Sequence, residues 1–154
     1  MDKLPEIDNI DREILTYLTI DAKMPYTEIA KKLIVSPGTI HVRIKKLESI
    51  GIIKGSTLTV DYTKLGYDLM AFIGIFLSKG SIYNDVIIEL NAIPEVIEAH
   101  YTTGSYSIFA KIMCRNTKHL RDIINDRVQV INGIIRTETI LSLEESIRKH
   151  VPLL

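Results

Sequence analysis

One sixteen-residue stretch, Ser36–Gly51 (SPGTIHVRIKKLESIG), limits what the rest of this chain can become. It predicts a helix with both ends marked. Ser36 is placed to cap the first turn, and Pro37 stands at the first helical position, where its missing N–H costs nothing. Gly51 supplies a residue that can take the left-handed stop conformation. Ile40, Ile44 and Leu47 recur at i, i+4 and i+7, so one stripe faces a core. The other side presents Gly38, Thr39, Val42, Lys45, Lys46 and Ser49, with His41 and Arg43 on its flanks. Small residues at the start let a backbone come close to a partner, and the later cations can reach phosphates. A helix entering a DNA major groove needs this layout.

The residues before it supply a scaffold. Asp8–Asp21 predicts a first helix, with Ile7, Ile10, Ile14, Leu15 and Leu18 on one side and Asp8 or Asn9 as cap. Thr27 is expected to cap a short helix through Leu33, with Ile29, Ala30 and Leu33 inward. Ile34–Val35 is a tight link, so these helices form a helix-turn-helix unit. Net charge is formally zero, which hides an asymmetry. Lys23–Lys54 holds seven cations against two carboxylates, a surplus of five. A local basic patch on a neutral chain fits a nucleic-acid-binding module joined to something else.

Beyond Gly51 the pattern changes. Ile52–Leu65 suggests extended chain, punctuated by Gly55 and Gly66, and is expected to be a linker strand. Leu69–Leu77 (LMAFIGIFL) predicts a strand. Ser81 would cap a helix through Asn91, and Val96–Thr103 and Tyr106–Cys114 would pair across a Gly104–Ser105 turn. Thr117 would cap a helix aligning Leu120, Ile123, Ile124 and Val128. Asn132–Gly133 would lead into a last strand, Ile134–Leu143. The order βαββαβ is the ferredoxin-like pattern. Its helices cover one sheet face, yet Leu69–Leu77 is apolar on both faces. A second copy packing sheet to sheet is the simplest cover, with a buried central strand in a monomer of different topology as the alternative. The expected fold is α+β, with a helix-turn-helix domain over 1–54, a linker strand over 55–65 and a ferredoxin-like domain over 66–154.

Other classes find little support. The lone Cys114 cannot form an intramolecular disulfide or a Cys-rich metal site, and it sits in an apolar run. The N-terminal MDKLPEID has no apolar signal core, and no apolar run of about 20 residues would span a membrane. A soluble cytoplasmic protein is expected. His41, His100, His119 and His150 lack metal-ligand spacing, and no nucleophile–base constellation stands out. Neither metal, cofactor nor catalysis is expected.

The run IDNIDREILTYLTIDAKMPYTEIAKKLIVSPGTIHVRIKKLESIGIIKG resembles the DNA-binding domain of the Lrp/AsnC (feast/famine) transcription regulators. YTTGSYSIFAKIMC, with TETILSL later, resembles their amino-acid-responsive domain. SPGTIHVR, YTTGSYSIF and TET together are most similar to the asparagine-responsive AsnC branch. The resemblance implies a winged-type helix-turn-helix, dimers through the C-terminal sheets, often octamers of four dimers, and a small effector, usually an amino acid, bound where dimers meet. Two positions depart from the family pattern. Ile34 stands where the turn commonly has Gly, and a positive φ there would strain a β-branched residue. Ser107 stands where many relatives carry an acidic residue.

The candidate DNA-binding residues are Ser36, Gly38, Thr39, His41, Val42, Arg43, Lys45 and Lys46, with Lys31 and Lys32 as further phosphate partners. Lys31 and Lys32 also fit a plain solvated face, and Arg43 could pair instead with Asp11 or Glu13. The candidate effector residues are Tyr101, Thr102, Thr103, Gly104, Ser105, Tyr106 and Ser107, with Gln129, Thr137 and Thr139. Gly104 permits close backbone approach, exposed N–H groups suit an α-carboxylate, and Gln129 could pair with a side-chain amide. An ordinary hydroxyl-rich hairpin is the competing reading of that turn. The expected function is a DNA-binding transcription regulator responsive to a small amino acid, asparagine by resemblance. The alternative is an architectural DNA-compacting protein with little ligand dependence.

Overall fold

The computed structural model describes residues 5–153; residues 1–4 and 154, which the expected domain limits include, lie outside the described residues. Two compact units divide the chain. Val60–Ser146 form one, and the residues up to Thr59, together with those from Ile147 on, form the other.

The first unit contains α1 (Asn9–Ile20), α2 (Tyr26–Leu33) and α3 (Pro37–Ser49). Ile14, Ile29, Ala30, Ile40 and Ile44 make its buried core, with Leu33, Val35 and Ile53 packed against them. Asp8 caps α1 through a reciprocal box with Asp11. Ser36 Oγ accepts from the Thr39 N–H at 3.1 Å, Pro37 is the first helical residue, and Gly51 takes φ +75°. The expected Thr27 cap is corrected: the cap position is Pro25, two residues earlier, and it makes no side-chain cap. Pro25, with φ already near the helical value, supplies the carbonyl that accepts from Glu28 and Ile29.

The expected linker strand over 55–65 is also corrected. Residues 52–61 enter no ladder, and Thr63–Leu65 form a 3-10 turn. A strand needs a neighbouring strand, and the described residues of this chain offer none there.

The second unit runs β1 (Leu69–Leu77), α4 (Tyr83–Asn91), β2 (Val96–Tyr101), β3 (Ile108–Cys114), α5 (Thr117–Ile123, continued by a π-helical turn over Ile124–Val128) and β4 (Ile134–Leu141). The sheet is antiparallel in the order β2-β3-β1-β4, the βαββαβ ferredoxin-like arrangement. Two expected caps move. Ser81 is absorbed in a 3-10 turn, Gly80–Ile82, before α4. Asn116, not Thr117, caps α5, its side chain accepting from the His119 N–H at 2.9 Å.

Alternation along the strands sets two faces. Ala71, Ile73, Ile75 and Leu77 of β1, with Ile108, Ala110 and Ile112 of β3, are buried against Val86, Leu90, Leu120 and Ile123 of the helices. The opposite face holds Met70, Phe72 and Phe76 of β1, paired in register with Met113, Lys111 and Arg136. No helix of the unit covers it.

Candidate functional site

The exposed side of α3 forms an open depression of about 460 Å³ lined by Asp8, Gly38, Thr39, Val42, Arg43 and Lys46. Ser36 caps the helix beneath it, and the Ser36 and Thr39 hydroxyls bond to each other at 2.8 Å. Val42 projects into solvent, 67% exposed. His41, on the flank, is exposed and lies 6.2 Å from the Tyr26 ring.

The cations are not equivalent. Arg43 Nη1 donates to both Asp8 oxygens at 2.8 and 2.7 Å and to Asp11 Oδ1 at 2.8 Å. Lys46 Nζ donates to Asp11 Oδ2 and to the Glu6 carbonyl, each at 3.2 Å. Of the two partners offered by the sequence for Arg43, Asp11 is one, and Asp8 joins it in place of Glu13. Asp11 is fully buried. Burial pushes its carboxyl up, but hydrogen bonds from Arg43, the Asp8 backbone and Lys46 outweigh this and hold it below the ordinary value. Asp8 is also lowered, first by the Asp11 backbone N–H and then by Arg43. These carboxylates raise the Arg43 guanidinium. Lys45 reaches Glu48 at 3.2 Å, and Lys32 reaches Glu28 at 3.8 Å and lies over the Tyr17 ring. Lys31 is exposed and has no carboxylate at ion-pair distance among the described residues.

In the second unit, Tyr101–Ser107 leave β2 and re-enter β3 as one turn. Thr102 N–H donates to the Ser107 carbonyl at 3.1 Å, and Thr102 Oγ1 donates to the Tyr106 carbonyl at 2.8 Å. Gly104 sits at φ +107°, and Thr103, Gly104 and Ser105 are exposed. Their N–H groups find no acceptor among the described residues. Ser107 N–H donates to the Ile75 carbonyl at 2.9 Å, its hydroxyl facing the Leu77 N–H. Gln129 Nε2 donates to Thr137 Oγ1 at 2.9 Å, and both line a depression of about 300 Å³. Thr139 lies one step further along β4 on the same side as Thr137. Thr137 pairs with Ile75 from one side of β1 while Ile108 pairs with it from the other. One protomer therefore keeps the turn and the Gln129–Thr137 pair apart by the width of β1.

These elements coincide with known domains. The family model described as the AsnC-type helix-turn-helix domain matches residues 7–48, and the Lrp/AsnC ligand binding domain matches residues 70–152. The chain belongs to the Lrp/AsnC family. It is 46% identical to the regulatory protein AsnC of Haemophilus influenzae over 94% of this chain and 97% of that protein. It is 44% identical to regulatory protein AsnC of Escherichia coli over 94% and 95%. The structure of E. coli AsnC superposes with a TM-score of 0.92 at 42% identity, covering 96% of this chain and 99% of that one. The chain is thus an AsnC-type transcriptional regulator with a helix-turn-helix and a ligand-binding domain, and its relatives are named as regulators rather than enzymes.

In this AsnC-type regulator the open sheet face carries a group that sequence reasoning missed. Phe72 stacks on Phe109 at 5.5 Å, Phe109 on Tyr106 at 5.8 Å, and Tyr106 meets Phe76 edge-on at 5.3 Å. Gly74 makes the row continuous, because a Cβ there would collide with the Tyr106 ring. Tyr106 donates its hydroxyl to Glu138 at 2.9 Å, which raises the phenol. Glu138 also holds Arg136, whose guanidinium lies 4.0 Å over Phe76. Tyr106 therefore belongs to the sheet face, although its neighbours face the turn. Period-two alternation through TET, which sends Glu138 to the side opposite Thr137 and Thr139, was the available signal. Cys114 is buried, its thiol pushed up to about 11 mainly by burial, which leaves it inert.

Proposed function

We propose that this regulator binds operator DNA through the exposed face of α3, as a dimer closed by the open sheet faces, and that an amino acid modulates it from the Tyr101–Ser107 turn. The observation carrying the reading is the depression over Gly38, Thr39 and Val42, bordered one turn later by Lys46, with Lys45 next to it in the helix. Thr39, His41 and Val42 face bases, and Lys31, Lys32 and Lys45 serve phosphates. Arg43 and Lys46 act mainly by fixing α3 against α1, because Asp8 and Asp11 already engage them.

The half-exposed aromatic row supports the dimer, since apolar surface of that extent is otherwise left in water. The effector site is completed by a second protomer. The unpaired N–H groups at Gly104 receive an α-carboxylate, and Gln129 reads a side-chain amide. Asparagine carries both groups, as the resemblance to the asparagine-responsive branch implies. The protein acts in the cytoplasm, and its dimers assemble into an octamer of four.

Gel-shift titrations against salt test the DNA face. Lys45→Ala should lower the slope of log affinity against log salt by about 1, and Thr39→Ala should change sequence preference. Unchanged affinity and preference in both variants would refute the assignment of α3. Calorimetry with the twenty amino acids, and light scattering with and without asparagine, test the effector. No heat from any amino acid would remove that half of the proposal.

A further inference from the structure

We infer that Val42 sets part of the sequence preference by packing against a thymine C5-methyl group in the major groove. This rests on the proposed DNA-binding reading of α3. Val42 is the one large apolar side chain exposed within α3 among the described residues, at 67%. Nothing in the fold asks for it. Ile40, Ile44 and Leu47 already provide the buried stripe, and the core of this unit closes without Val42. A β-branched residue mid-helix also forms helix less well than Ala, Lys or Glu.

Its surroundings suit a base edge. Gly38 and Thr39 lie one turn before it and Lys45 and Lys46 one turn after. The first pair is small and leaves the depression open, and Lys45 of the second stands where a phosphate strand would pass. The Thr39 hydroxyl is partly used by Ser36, and Arg43 and Lys46 are used by Asp8 and Asp11. At the centre of the face, Val42 has no polar group to offer. The base-edge feature that an aliphatic side chain recognises in the major groove is the methyl of thymine, which no other DNA base carries. Its stiff side chain loses little rotamer freedom on contact.

The test begins with duplexes enriched from a random library by the full chain. Each thymine is then replaced in turn by deoxyuridine, which keeps every hydrogen-bonding group and removes only the methyl. The unmodified protein should lose about fourfold in affinity at one or two positions, as expected for burial of one methyl group. Val42→Ala should show no such loss at those positions while melting no lower than the parent. Val42→Thr, close in shape, guards against a folding defect in the alanine variant. The inference is overturned if the unmodified protein ignores every replacement, or if Val42→Ala keeps the full fourfold penalty. If no duplex is enriched at all, the DNA reading of α3 falls, and this inference with it.

Discussion

The molecule has two open faces, and they are built by opposite means. The exposed side of α3 is polar; Arg43 and Lys46 are held by Asp8 and the buried Asp11 at the start of α1, and Lys45 by Glu48 of α3 itself. The open side of the sheet carries the aromatic row, with Arg136 and Glu138 arranged around its rings and Lys111 paired with Glu98 and Glu145 beside it. Charged faces in water are made and unmade easily, with a strength that salt controls. An aromatic row left in water favours lasting cover. The contrast supports the proposed reading, in which the exchangeable partner meets α3 and the standing partner meets the sheet.

The largest expected effect comes from breaking the aromatic side of that contrast. Phe72→Glu places a charge at one end of the stacked row, against the Phe109 ring. It should weaken self-association by about 2–4 kcal/mol, the range of an interface hot spot, which is thirtyfold or more in Kd. Sedimentation velocity would show monomer at concentrations where the parent is associated. Circular dichroism should stay native-like, since the buried core lies on the other face. An unchanged oligomer would mean that the standing partner sits elsewhere.

A somewhat smaller effect tests the polar side. Asp11→Asn removes the buried charge that Arg43 and Lys46 share. The loss should be about 2–3 kcal/mol in the first unit, less than for a fully buried pair because Lys46 is half exposed. Thermal melting followed by circular dichroism measures it. Asp8 and Asp11 both have folded values below the ordinary 3.8. Their stabilisation is therefore complete above about pH 4 and is lost as the pH falls through the lower folded values. The parent should lose stability below about pH 4, and Asp11→Asn should lose less. An equal acid response in both would place the buried carboxylate outside the linkage.

Local signals made most of the architecture legible. The Ser36–Pro37 start and Gly51 stop of α3, the apolar stripes and the strand order depend on residues near one another in the chain. Caps were less legible where two acceptors compete, as with Asn116 and Thr117. The candidate site was legible only as a set of residue types. Which cations are free depends on Asp8 and Asp11, more than thirty residues before Arg43 in sequence. The charge surplus over Lys23–Lys54 overstates the face, because α1 brings carboxylates to it. The aromatic row depended on strand register, which fixes Gly74 opposite Phe109 and Glu138. Composition around any one of those residues does not contain it.

The smallest effect concerns the joint that aims the polar face. Ile34 closes α2 at φ 56°, ψ 46°, a left-handed conformation, with its side chain 92% exposed. Ile34 is the one non-glycine residue at positive φ among the described residues, so its Cβ sits in a conformation that glycine takes more readily. Left-handed backbone costs a non-glycine residue about 1–2 kcal/mol, and glycine returns part of any gain through its greater unfolded-state freedom. Ile34→Gly should therefore stabilise the first unit by about 0.5–1 kcal/mol, raising its melting point by a few degrees. Ile34→Ala keeps a Cβ in the same conformation and should gain less. Because the exposed side chain packs against little, DNA affinity should be unchanged in both. A glycine variant that melts lower would show that Ile34 makes a contact outweighing its strain. That contact would then be a third means of orienting α3, beside the carboxylates of α1 and the buried stripe.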